Sequence, residues 1–319
     1  MMRKAALLYN PDSGGRQARR LAELESALKV LRGGGVEAEL VLSHSREDAG
    51  EHTRQAIASG CDTIFACGGD GTIHNVVQAM AGTTAGLAIL PMGTANALAH
   101  DLNLPRDVAG AAKAALRAFP RRVALGRIQY VDFEGKPGMR YFTVTAGLGV
   151  DAHLLYKLHA GSKQRLGMAA YYAEAWKLWL THRMRRFSVE YVETGSGVSR
   201  SADVTELMAV RIRNFGGVLR ELAPGASLDR DDLRVVLCRT ASRTAYLAYV
   251  TRGLLRQKWT IPGIDLVYSG RVSCKYLPAP ADGKPQQTIY AEADGELLGT
   301  LPVEMTIVPD ALTLLAPSR

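Results

Sequence analysis

Residues 66–72 read ACGGDGT. They follow an apolar run, TIF, and lead into TIHNVVQAM, which has helical spacing. Glycine weakens strands and helices unless the backbone needs a positive φ or a close approach. Gly68, Gly69 and Gly71 therefore mark a turn from a strand into a helix. Such a turn presents backbone N–H groups, and the helix dipole adds partial positive charge, so its chemistry is phosphate binding. Asp70 sits inside that cradle. A carboxylate repels phosphate unless a cation or a transferable proton lies between them. The acid therefore points to phosphate chemistry that uses one or the other.

Two further turns repeat the design. NPDSGG, Asn10–Gly15, follows the first apolar strand; alone it is ordinary turn composition. LPMGTANALA, Leu90–Ala99, follows the fourth strand, with Gly93 in the turn and Thr94 able to donate to a phosphate. In a parallel sheet the C-terminal ends of the strands share one edge, so three such turns fall on the same edge.

The elements that must position these turns are legible. KAALLYN, VEAELVL, TIFACGG and GLAILPM read as strands. RQARRLAELESALKVLR carries Leu21, Leu24, Leu28 and Leu31 at helical spacing and stops at Gly33–Gly35. SREDAGEHTRQAIASG opens with a capping box, Ser45 to Asp48. Further helices are expected at TANALAHDL and DVAGAAKAALRAF. Strands alternating with helices imply a Rossmann-like parallel α/β domain over residues 1–125.

From about residue 126 the pattern changes. RIQYVDFEGKPGMRYFTVTA reads as a hairpin around Glu134–Gly138, and the later runs FSVEYVE, ELMAVRIR, LRVVLCR, IDLVYSG, RVSCKYL, QTIYAEAD, PVEMTIVP and ALTLLAP are short and strand-like. Two helices interrupt them, one within 151–183 and one at SRTAYLAYVTRGLL. The expectation is a β-rich, sandwich-like second domain over 126–319, with the active site in the cleft between domains.

Composition bounds the rest. The chain has 319 residues, 47% hydrophobic and 22% charged, which is globular. Its net charge of +8 suits an anionic substrate or surface. No block of like charges suggests a tail for nucleic acid. Cys61, Cys67, Cys238 and Cys274 show no metal spacing and read as reduced thiols of a cytoplasmic protein. No HExxH pair, P-loop, signal peptide or spanning helix is found.

Three stretches have competing readings. GLGVDA, Gly147–Ala152, matches a dinucleotide fingerprint but lacks a following βαβ unit, and is read as a structural turn. RLGMAAYYAEAWKLWLTHRMRR combines aromatic and basic residues; a core helix with cations at its C-terminal end is preferred to an interfacial one. AEADGELLG, Ala291–Gly299, is either a strand–turn–strand hairpin or a pair of catalytic carboxylates.

Asn10-Pro11 with Ser13-Gly14, then Gly68-Gly69-Asp70-Gly71-Thr72, Gly93-Thr94 with Asn96, and Asp294-Gly295-Glu296, in that order, resemble the diacylglycerol kinase catalytic-domain family, to which sphingosine and ceramide kinases are related. The resemblance covers nearly the whole chain. It implies ATP as phosphoryl donor, Mg²⁺ as its metal, and a lipid alcohol such as diacylglycerol as acceptor. By analogy Gly68, Gly69, Asp70, Gly71, Thr72, Ile73, His74 and Thr94 contact the ATP phosphates. Asn10, Ser13, Gly14, Gly93 and Asn96 complete the nucleotide set, and Ser43 matches an ATP-contacting position. Glu296 matches the general base, with Asp294 beside it; Asp70 holds Mg²⁺ or orients the acceptor. A peripheral membrane enzyme on the cytoplasmic side is expected, with no nucleic-acid partner and a homodimer left open.

The chain departs from the family at three places. Asn75 stands where GGDGTxxE has Glu, and Ala97 and His100 stand where GTANDxAR has Asp and Arg. The family's structural Mg²⁺ loop matches APGASLDRDDLRVV, but with Arg230 at the ligand aspartate; Asp229, Asp231 or Asp232 could replace it only through a shifted loop, so that metal is not expected. Two other functions compete. An NAD kinase would need an Asn-Glu pair, and NE occurs nowhere. A non-catalytic homologue fits Asn75 and Ala97 but not the intact Asp70 and Glu296.

Overall fold

The computed structural model describes residues 2–12, 17–150, 152, 184–216, 221–255, 257, 259–278 and 288–317. The helix expected within 151–183, and Ser13 and Gly14, lie outside these. The chain forms two compact units. The first is Met1–Leu125 with Asn214–Gly217 and Val308–Arg319; the second is Gly126–Arg213 with Val218–Ile307. A single cut after residue 125 thus omits two segments that return to the first unit.

The first unit holds β1 (Lys4–Tyr9), β2 (Glu37–Leu42), β3 (Thr63–Gly68) and β4 (Gly86–Pro91), all parallel in the order β2-β1-β3-β4. The helices are α1 (Gln17–Gly33), α2 (Arg46–Ala58), α3 (Asp70–Met80), α4 (Ala97–Asp101) and α5 (Val108–Leu116). Leu24, Ala27, Leu28 and Leu31 of α1 pack with Ala111 and Ala112 of α5 against Leu7, Phe65 and Leu90. Alternate strand residues such as Leu8, Ile64 and Ile89 are also buried, on the opposite face. Burial on both faces is why these strands read as continuous apolar runs. The Ser45–Asp48 capping box of α2 is formed on both sides.

The second unit is built from β5 (Phe119–Val131, from Gly126 on), β6 (Pro137–Phe142), β7 (Thr145–Gly149), β8 (Phe187–Glu193), β9 (Ser199–Val204), β10 (Glu206–Val210), β11 (Leu233–Cys238), β12 (Ile264–Lys275), β13 (Tyr290–Ala293) and β14 (Glu296–Ala316, through Ile307). Its helix α6 spans Arg243–Leu254. The pairings are antiparallel, in the order β13-β7-β10-β11-β12-β8-β9. Phe142, Phe187, Leu207, Val235, Val272 and Met305 are among its core. The expected hairpin is present as β5–β6.

Two sequence readings are corrected here. GLGVDA is not a turn at its start: Gly147 and Gly149 lie in β7, paired to β10. At Gly149, with φ +109°, a Cβ would stand 2.4 Å from the Thr205 carbonyl oxygen, so glycine serves strand packing there. IDLVYSG and RVSCKYL form one strand, β12, whose register against β8 shifts between Ser269 and Val272. No helix among the described residues is long and apolar enough to cross a membrane.

Candidate functional site

In the first unit, β3 ends at Gly68 and α3 begins at Asp70, with Gly69 at the N-cap and no side chain capping it. The N–H groups of a helix's first turn have no intrahelical acceptor upstream, so this end presents donors and positive dipole. The Thr72 side chain folds over Gly68, where a Cβ would come 2.3 Å from its Oγ1. Ile73 and His74 are each 1% exposed, so neither presents a side chain to a ligand from outside.

The turn after β4 is fastened to this one. Met92 N donates to the Gly68 carbonyl at 2.9 Å. A Cβ on Gly93 would lie 2.4 Å from Gly69 Cα, so the two glycines meet backbone to backbone. Asn96, at φ 50°, closes its own turn: its Oδ1 accepts from Gly93 N and its Nδ2 donates to Gly93 O, each at 2.9 Å. Asp70 Oδ1 then accepts from Ala97 N at 2.7 Å. Thr94 stays exposed.

The remaining sequence candidates of this unit lie at the neighbouring strand ends. Asn10 Oδ1 accepts from Asp12 N at 2.8 Å. Asp12 is linked to His44 Nδ1 at 2.8 Å, an exposed pair that ties the turn after β1 to the end of β2. Ser43 is 2% exposed, with its hydroxyl 3.0 Å from His52 Nδ1. Cys67, next to the glycine turn, is buried, and burial pushes its thiol well above the usual range, so it is no nucleophile.

A cavity of about 480 Å³ adjoins Gly93, Thr94 and Asn96 and is also lined by His100, Arg106 and Phe215. The segment 214–216 is held there because Asn214 N donates to Asp101 Oδ1 at 3.0 Å. Gly216, at φ +77°, lies against the His100 ring. Sequence reading missed Asp12, His44, Arg106 and Phe215. Asp12 lies inside NPDSGG without carrying that motif's signal, His44, Arg106 and Phe215 sit in no recognisable motif, and Phe215 is more than a hundred residues from the turn it approaches.

In the second unit, Asp294 and Gly295 have φ of 49° and 79° and form the tight turn between β13 and β14. Asp294 Oδ1 accepts from Val144 N at 2.9 Å and Thr145 N at 3.1 Å. Its Oδ2 accepts from Thr143 N at 2.9 Å and Thr143 Oγ1 at 3.2 Å. Both oxygens are thus engaged by the segment before β7. Glu296 opens β14 and is half-buried. Glu292, 1% exposed, accepts from Gly295 N at 3.0 Å and supports the same turn.

The residues at the family's structural metal loop do not fit a divalent ion. Arg211 is fully buried and donates through Nη1 to the carbonyls of Arg230, at 2.9 Å, and Asp232, at 2.6 Å; Nη2 reaches that of Leu228 at 3.5 Å. Arg230 forks onto the Asp232 carboxylate with two contacts of 2.7 Å. Burial lowers Arg211 to about 10, so it remains a cation at neutral pH. A metal here would have to displace two guanidinium groups. Among the described residues no cluster of three or more His, Cys, Asp or Glu could hold a metal unaided.

The fold is similar to those of two kinases of known structure. A diacylglycerol kinase of Bacillus anthracis strain Sterne superposes with a TM-score of 0.70 at 18% identity, over 99% of this chain and 97% of that one. The yeast NADH kinase complexed with NADH gives 0.53 at 10% identity, over 100% and 84%. At such identities these likenesses concern the fold. The family comparison is more specific: the diacylglycerol kinase catalytic domain matches residues 4–128, and the YegS C-terminal NAD kinase beta sandwich-like domain matches 144–316. The chain belongs to the diacylglycerol kinase family. Curated relatives include the diacylglycerol kinases of Bacillus subtilis, 26% identical over 95% of this chain and 93% of theirs, and of Mycobacterium tuberculosis, 28% identical over 98% and 95%.

Proposed function

We propose that the protein is an ATP-dependent lipid kinase that phosphorylates the hydroxyl of a lipid alcohol such as diacylglycerol. The observation that carries this reading is the family match in both halves of the chain. The contact of Gly69 with Gly93 beside the open N-terminus of α3 supports it, because two glycine turns packed this closely can present a continuous row of amides to phosphates. The site is not built for covalent catalysis at Cys67.

The residues divide the work by their chemistry. The first-turn amides of α3 and the Thr94 hydroxyl bind the donor phosphates. Mg²⁺, when bound with ATP, neutralises charge on the transferring phosphoryl group. Such an ion usually takes one or two carboxylates together with substrate phosphates, and the single carboxylate of Asp70 fits that donor set. Asn10, Ser13, Gly14 and Asn96 border the nucleotide, whereas Ser43, 2% exposed with its hydroxyl on His52, lies beneath that edge of the sheet. The acceptor oxygen attacks the γ-phosphorus, the bond to the ADP oxygen breaks, and Glu296 takes the hydroxyl proton. Asp294 is a positioning residue, since its two oxygens hold backbone amides. We assign nucleotide binding to residues 1–125, completed by the returning C-terminal segment, and the lipid substrate to 126–307. The enzyme acts at the cytoplasmic face of a membrane as a peripheral protein.

The test is to incubate purified protein with γ-labelled ATP, Mg²⁺ and diacylglycerol in mixed micelles and to separate the products by thin-layer chromatography. A labelled lipid phosphate is the expected product. Label appearing in NAD, or in no alcohol of a lipid extract, would overturn the reading.

A further inference from the structure

Helix α6 of the second unit has apolar residues on two faces. One face is buried. Tyr246 places its hydroxyl 2.7 Å from Thr205 Oγ1, Tyr249 donates to the Leu222 carbonyl, and the Arg252 guanidinium lies 4.5 Å from the Tyr249 ring centroid. The other face is bare. Leu247, Val250 and Leu254 are 45%, 37% and 39% exposed, at spacings of three and four that put them on one stripe. Beyond the helix the surface continues through Leu255, 57% exposed, and Trp259, 46% exposed.

The charge of this stretch is one-sided. Residues 242–264 include Arg243, Arg252, Arg256 and Lys258 and contain no Asp or Glu.

We propose that the exposed face of α6, continued by Leu255 and Trp259, docks the protein on an anionic lipid bilayer. Leucine and tryptophan suit the boundary between headgroups and acyl chains, and lysine and arginine around them are attracted to anionic headgroups. A second copy of the chain is a poor occupant, since a two-fold contact would bring two basic stretches together. Residues 153–183 are no better complement: Lys157, Lys163, Arg165, Lys177 and Arg183 outnumber Glu174 there. The inference deepens the lipid-kinase reading by naming the surface that meets the membrane, and it rests on that reading for the identity of the substrate.

The test uses the full chain in vesicle sedimentation, comparing phosphatidylcholine alone with phosphatidylcholine containing phosphatidylglycerol. Binding is expected only with the anionic lipid and should weaken with salt, as charges are screened beyond about 8 Å at physiological ionic strength. The combined variant Leu247→Ser, Leu254→Ser, Trp259→Ser alters only exposed side chains, and should bind vesicles about tenfold more weakly while keeping its thermal unfolding temperature. Vesicle binding unchanged in the triple variant, or loss only of a dimer, overturns the docking surface. If the triple variant loses vesicles but the parent phosphorylates no lipid, docking stands and the kinase reading falls. If lipid is phosphorylated and the variant still binds vesicles as the parent does, the reverse holds.

Discussion

Asp70 Oδ1 accepts a hydrogen bond from the backbone N–H of Ala97, at 2.7 Å. An acid in a phosphate cradle therefore has a structural task, fastening the turn after β4 to the first turn of α3. Asp70→Asn keeps an acceptor of the same shape for Ala97 and removes the charge. Its unfolding temperature is expected to hold while turnover and its response to added Mg²⁺ fall. Asp70→Ala strips the acceptor as well and should cost about 1–3 kcal/mol in stability, the usual penalty for a stranded donor. Equal unfolding temperatures for the two variants would show that the Asp70–Ala97 bond is unimportant; calorimetry decides it.

Glu296 and Asp294, two residues apart, should differ sharply. Glu296→Gln retains shape and stability and is expected to bind MgATP normally, with a rate loss of about 10²–10⁴-fold, typical of a positioned acid or base. Asp294→Asn would turn an NH₂ group toward backbone donors of Thr143, Val144 and Thr145, so it should unfold at lower temperature. Hydrogen bonds to charged groups contribute about 1.5–3 kcal/mol each. A stable but inactive Asp294→Asn protein would return Asp294 to the reacting groups.

Gly93→Ala tests the packing of the glycine turns. Its Cβ would meet Gly69 Cα at 2.4 Å, a backbone atom that cannot swing aside. Substitution at Gly69 meets Gly93 Cα at 3.2 Å and disturbs the same contact before it reaches any ligand. Both variants should lose ATP affinity in calorimetry, Gly93→Ala with the larger loss of stability. Normal ATP binding by Gly93→Ala would remove the phosphate cradle from this pair of turns.

The Arg211 loop predicts indifference to chelators. Guanidinium groups already satisfy the Leu228, Arg230 and Asp232 carbonyls and the Asp232 carboxylate. Excess EDTA should leave the unfolding temperature unchanged. Arg211→Met strands those buried carbonyls and should destabilise the second unit by several kcal/mol, at about 1–3 per unsatisfied group. A marked EDTA-induced shift in the parent protein would point to a metal that these contacts do not accommodate.

Local physics made much of the fold readable. The Ser45–Asp48 box, the glycine stops and the β5–β6 hairpin depend on groups within a few residues of one another, and the sequence alone determined them, although the hairpin turns at Asp132–Lys136 rather than around Glu134–Gly138. The parallel first half followed from apolar runs flanked by amphipathic helices, and the four motifs determined the family. Other features were decided only by tertiary structure. β14 runs unbroken over 21 residues past Pro309, and its last part returns to pair with β4, although its sequence reads as separate short strands. Asp70 and Ala97 are 27 residues apart, and Asp294 and Thr143 are 151 apart. In each pair one partner is a backbone N–H, which every residue except proline carries, so its sequence holds no mark of the bond. Which amide a carboxylate meets is settled by strand order and register, and those are set by burial summed over the whole unit rather than by any short stretch.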